Sequence, residues 1–268
     1  LELTQYLAAR TGYEKYVFDK FNKSFGYLNF SGSSAFINVK DVTGNLYPDI
    51  SKNNNSNSVL SPVSKPFSVE FSINPPNEVI DCQTIFQFSG SNSTISGFLS
   101  ESNSASSCNI HFHILSGTNH AYVSASIGTG KFSHINLSYL GSEVNNELAP
   151  ADYQKMLLYV DGDIVSRSSQ NILFNDLTIT GPGNFYIGSG SSMYTPELES
   201  SANFFVPKTL LSSSIDEFRF YHRLKTQTDT LASMNKNVIN EDALKLYLKF
   251  NEIIQNNSVK NIVIDSSG

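Results

Sequence analysis

The sequence predicts an all-β, antiparallel fold, a sandwich or a barrel, and three observations lead there. Charged residues make up only 16% of the 268, below the usual quarter, and Ser and Asn take their place. Such side chains compete with a helical backbone and suit strands and turns. Short segments that alternate apolar and polar residues recur along most of the chain: FGYLNF, SAFINV, FSVEFSI, TIFQFSG, NIHFHIL, AYVSASI, HINLSYLG, KMLLYVDGDIV, GNFYIGS and SIDEFRFYHR. Between them stand SGSS, NPPN, SGSNS, SGTN, DGD and GPGN, which carry turn chemistry. Many short strands separated by regular turns are the signature of a sandwich or barrel.

The elements follow in order. Residues 1–24 form a lead-in in which LTQYLAAR suits one or two helical turns. In FSVEFSI, Phe67, Val69, Phe71 and Ile73 share one face and Ser68, Glu70 and Ser72 the other, the pattern of a half-buried antiparallel strand. SKNNNSNSVLSPVS (51–64) and SGSSMYTPELESSAN (189–203) are long loops, and loops of that length on a compact sandwich are functional or disordered. TQTDTLASMNKN (226–237) predicts one short helix, with Thr226 or Thr228 as its cap and Leu231 and Met234 facing inward.

Charge and composition exclude some functions. Net charge is −6 and no basic stripe is present, so a nucleic-acid partner is not expected. No run of 18 apolar residues occurs, so no membrane span is expected. LELTQYLAAR has neither a basic region nor an apolar core, and reads as the edge of a longer chain rather than a signal peptide. Cys82 and Cys108 open two strands with a third between them, roughly 10 Å apart at ordinary strand spacing. That exceeds disulfide reach, and free thiols are expected.

Five segments in order resemble the laminin G-like, pentraxin-related jelly roll of the concanavalin A superfamily. They are FGYLNFSGSSAFINV, KPFSVEFSINP, KFSHINLSYLG, the Lys155–Val165 hairpin containing LLYVDG, and Ile215–Leu224, IDEFRFYHRL. Phe71 and Phe132 stand where these motifs often carry Trp. The resemblance implies an antiparallel two-sheet jelly-roll sandwich over 25–237 with one short C-terminal helix. ALKLYLKFNE and NIVIDSSG, within 238–268, resemble a linker and the opening of a second such domain. Tandem copies imply a long modular parent.

The superfamily includes glucanases, which need two carboxylates flanking the scissile bond. Glu70 stands alone on its strand, and Asp216 and Glu217 are adjacent and expected on opposite faces; catalysis is not expected. Asp161, Gly162 and Asp163 suit a calcium loop or, more simply, a tight Asp-Gly hairpin. Related jelly rolls often hold one structural calcium ion near the last strand. That makes Asp216 the candidate metal ligand; the alternative is a turn cap. His111 and His113 share a strand face with no third zinc ligand in view, and read as exposed. Tyr153 and Tyr194, both in loops, are the candidate ligand-binding residues.

The resemblance therefore implies a non-catalytic binding or adhesion module, at an extracellular surface or on a virion. Its partners would be glycans or proteins, including other copies or domains of the parent assembly. A virion structural role and an atypical glycoside hydrolase are the alternatives.

Overall fold

The computed structural model describes residues 27–32, 35–39, 60–62, 65–80, 82–102, 104, 106–141, 156–168, 177, 179, 184–194, 204–205, 210–234, 238, 241–250 and 265–267. The lead-in 1–24, Tyr153 and most of the 51–64 loop lie outside them.

Fifteen strands and one helix occupy these residues. In order they are β1 (Leu28–Asn29), β2 (Ile37–Asn38), β3 (Phe67–Asn74), β4 (Gln83–Ser89), β5 (Ser93–Ser100), β6 (Ser107–Ser116), β7 (Asn119–Gly128) and β8 (Ser133–Tyr139). Then come β9 (Met156–Val160), β10 (Asp163–Arg167), β11 (Asn184–Ile187), β12 (Met193–Tyr194), β13 (Phe204–Phe205), β14 (Ser214–Tyr221), α1 (Gln227–Ser233) and β15 (Leu244–Leu248). The first sheet runs β1-β14-β3-β8-β9-β10, with β15 also on β14, and the second runs β2-β11-β4-β5-β6-β7. All pairings are antiparallel. Non-consecutive neighbours such as β14-β3-β8 are the crossovers of a jelly roll rather than a meander.

The two inner faces meet in a phenylalanine core. Phe71 stacks on Phe218 with ring centroids 5.7 Å apart, and Phe88 stacks on Phe185 at 5.0 Å. Gly97 makes room for this packing: a Cβ there would stand 2.7 Å from Phe112 and 2.9 Å from Phe86.

Residues 161–162 form the predicted hairpin turn, with φ of +52° at Asp161 and +89° at Gly162. The Asp161 carboxylate accepts from the His134 N–H at 2.7 Å. Thr226 caps α1 and forms a reciprocal capping box with Asp229. One expectation for the helix is corrected. Thr230 is its buried residue, while Leu231 is 51% exposed and lies over the hairpin turn. A Cβ on Gly162 would fall 2.3 Å from its Cδ2.

The half-buried assignment of β3 is also corrected. Ser68 and Glu70 are as buried as the apolar residues between them, because α1 and residues 222–225 cover that face with polar groups. Toward the C-terminus, the segment expected to open a second copy supplies β15. It pairs with β14 through Phe218–Leu248 and Phe220–Leu246, and Leu246, Leu248 and Phe250 join the core.

Candidate functional site

At one end of the first sheet, β1, β14 and the β3–β4 connection enclose an open cleft of about 370 Å³. Its walls are amides from Asn29, Asn74 and Asn77, hydroxyls from the serines at 212–214, and backbone at Pro75, Pro76 and Gly130. Strand register explains the convergence, since Asn29 and Asn74 each stand opposite Ser214, one on either side. Gly130 closes the wall at φ +70°, where a Cβ would come within 2.5 Å of the Asn77 amide oxygen.

Two features make this cleft chemically unusual. No protein group bonds the buried Asn74 Oδ1 or Ser213 Oγ, and the same holds for Oδ1 of Asp216, two residues beyond Ser214. Buried acceptors without donors are costly. Beside the cleft lie two exposed aromatics, Tyr27 (55% exposed) and Phe132 (42%), with ring centroids 5.6 Å apart in an edge-to-face pair. Neither ring lines the cleft itself, but Tyr27 precedes Asn29 by two residues and Phe132 follows Gly130 by two.

Asp216 sits where β14 takes in one extra residue: Asp216 pairs with Ser72, but Arg219 pairs with Glu70. Glu217 absorbs the bulge at φ +56°, and Ile215 and Phe218 both remain in the core. The side chain of Glu217 bonds Arg219 and the Tyr247 hydroxyl. Burial, followed by the neighbouring Glu217 charge, pushes the Asp216 carboxyl up to about 7.

A second polar cluster centres on Glu70, beneath α1. Its carboxylate meets Lys225 Nζ at 2.8 Å, Arg219 Nη1 at 3.5 Å and the Ser233 hydroxyl at 3.1 Å. Burial alone would raise its pKa. His134, Lys225 and Arg219 outweigh that and hold it at about 2. This carboxylate is fully enclosed and ionised at neutral pH, which does not suit a general acid.

The histidine expectation is overturned: His111 and His113 are buried. They stand on the outer face of the second sheet, where Phe98 stacks on His111 at 4.8 Å and on His113 at 5.4 Å. Tyr122 lies 4.5 Å from the His113 ring and meets His111 Nδ1 through its hydroxyl at 2.7 Å. Burial lowers His111 to about 4 and His113 to about 3. Met193 packs against Phe98, and Gln87 pins the preceding residues through Ser191 at 2.8 and 3.0 Å. The backbone of Tyr194 belongs to β12, paired with Phe204. Cys82 and Cys108 are thiols not bridged to each other, as expected.

Of the residues singled out from sequence, Asp216 lies two residues beyond the cleft's Ser214, and Tyr194 lies in the separate two-stranded β12–β13 sheet. Asn29, Asn74, Asn77 and Tyr27 were missed. Phe132 was noticed only as a position where the resembled motif often carries Trp.

No protein-family model and no curated protein matches this chain. Solved structures do. One is a protein from Bacteroides ovatus carrying a provisional carbohydrate-binding description, with 14% identity and a TM-score of 0.50. The match covers 90% of this chain but only 57% of that one. A heptameric pentraxin from Limulus polyphemus gives 14% identity, a TM-score of 0.44 and coverage of 77% and 82%. Domains LG4-5 of mouse laminin α1 give 16%, 0.45, and coverage of 76% and 44%. The chain has the concanavalin A-like jelly-roll sandwich fold.

Proposed function

We propose that this chain is a non-catalytic binding module of a larger modular surface or virion protein, and that it holds a glycan in the amide-lined cleft. One observation carries the reading. An open cleft walled by asparagines and serines, in which no protein group bonds Oδ1 of Asn74 or Oγ of Ser213, has an exposed aromatic pair within two residues of its lining in the chain. Sugar hydroxyls donate to such acceptors while the apolar face of a pyranose ring covers an aromatic. The carbohydrate-binding description of the Bacteroides ovatus protein agrees with this reading. The enclosure of Glu70 and the engagement of Glu217 argue against a catalytic carboxylate pair.

A calcium ion at Asp216 belongs to the same proposal. The donors suit a hard cation, since Oδ1 of Asp216 and Oδ1 of Asn74 are both oxygens that no protein group bonds, on adjacent strands. Glu217 is already committed to Arg219, which leaves one carboxylate and places affinity in the weak range, roughly 10⁻⁴–10⁻³ M. Tyr194, on β12, and Tyr153, outside the described residues, remain the competing ligand residues.

The test is a glycan array probed with the wild type and with Asn74→Ala and Phe132→Ala variants, in calcium and again in chelator. Binding that both variants abolish supports the cleft. Binding that survives both moves the site to the tyrosine loops. No binding to any glycan sinks the glycan reading.

A further inference from the structure

Resting on that reading, we infer that the cleft selects uncharged glycans and rejects those bearing carboxylate or sulfate groups. The lining is neutral throughout, built from the amides of Asn29, Asn74 and Asn77 and from serine hydroxyls. Each amide offers an acceptor and a two-proton donor, which matches neighbouring sugar hydroxyls that donate and accept in turn. An anionic sugar asks for something else. Its carboxylate or sulfate must be desolvated, which is costly without a cation, and proteins answer with arginine or lysine.

Among the described residues, none that lines this cleft is a cation. Lys131 follows Gly130 directly, yet its side chain folds back over its own turn: a Cβ on Gly128 would stand 2.5 Å from the Lys131 Cε. The cations on the same face of the first sheet are held elsewhere. Arg219 bonds Glu217, and Lys225 bonds Glu70 and Ser233. Glu78, which follows Asn77 directly, is of the wrong sign for an anionic sugar, and the whole chain carries −6. Selection therefore comes both from hydroxyl-matched amides and from the cost of desolvating an anion against a lining that offers it no cation.

The experiment is an array of matched glycan pairs, each a neutral core and the same core bearing sialic acid, uronic acid or sulfate. It is probed in chelator, so that no added cation carries an acidic glycan into the cleft, and again in calcium. The expected result is a signal on neutral members at least tenfold above that on their acidic partners. That signal should be lost in Asn74→Ala, with the variant's unfolding temperature within a few degrees of wild type. Equal or stronger binding to acidic members, still lost in Asn74→Ala, overturns the selectivity and leaves the glycan site standing. Neutral binding that Asn74→Ala leaves intact overturns the placement in this cleft. Absence of binding to every member, in chelator and in calcium alike, overturns the glycan reading itself, and this inference with it.

Discussion

Replacing Glu70 with Ala tests how the first sheet is held beneath α1. The carboxylate is wholly buried and sits 2.8 Å from Lys225 and 3.5 Å from Arg219, with Ser233 donating at 3.1 Å. Truncation removes the shared anion and leaves two buried cations. Arg219 keeps Glu217 and Tyr247. Lys225 keeps the Ser233 hydroxyl and the Tyr221 ring, 4.4 Å from its nitrogen. Breaking a buried pair from one side costs about 3–5 kcal/mol. At about 2–4 °C per kcal/mol for a chain of this size, the unfolding temperature should drop on the order of 10 °C. Glu70→Gln should lose less, because an amide oxygen still accepts one hydrogen bond. Urea unfolding followed by far-ultraviolet circular dichroism and by tyrosine fluorescence measures this directly, as the chain has 13 Tyr and no Trp. A loss below about 1 kcal/mol for Glu70→Ala, typical of an exposed pair, would refute the reasoning.

Further outcomes follow from the same geometry. His111 and His113 are held neutral well below 6.5 by burial, so protonation favours the unfolded chain. Stability is complete above 6.5 and falls as pH drops toward about 3, by about 2 kcal/mol per histidine at pH 5. Denaturant titrations at several pH values check this, and His113→Phe should remove about half of the slope between pH 6.5 and 5. Glu70 adds to acid sensitivity lower down, since a carboxyl held at about 2 contributes stability that is lost as pH falls below 4.5. Gly162→Ala must adopt φ +89° and places a methyl 2.3 Å from Leu231, so it should destabilise by more than about 1 kcal/mol in thermal unfolding. Calcium should raise the unfolding temperature at millimolar concentration in the wild type and not in Asp216→Asn. An equal shift in both would remove Asp216 from the metal site.

The fold was readable because strand alternation reports the core directly: Phe67, Val69, Phe71 and Ile73 face inward as their period demands. Alternation cannot tell solvent from a second polar layer. Ser68 and Glu70 looked exposed for that reason, and only the path of residues 222–233 across the sheet encloses them. His111 and His113 escaped in the same way, because Phe98 and Tyr122 reach them from neighbouring strands and Met193 covers Phe98 from a distant loop. The cleft was less readable still. Tyr27 and Phe132 belong to segments far apart in the chain, and the Asn74 side chain lacks a donor only because the register sets it beside Ser214. Asn and Ser are so common here that no spacing marks these few.

The most direct test of the glycan cleft is side-chain amide mapping by nuclear magnetic resonance, titrating the array's strongest glycan into the labelled protein. The account predicts that the Asn29, Asn74 and Asn77 amides move first and furthest, together with the Tyr27 and Phe132 ring signals. Shifts confined to the face around Phe98, Tyr122 and Met193, with the three amides still, would contradict it.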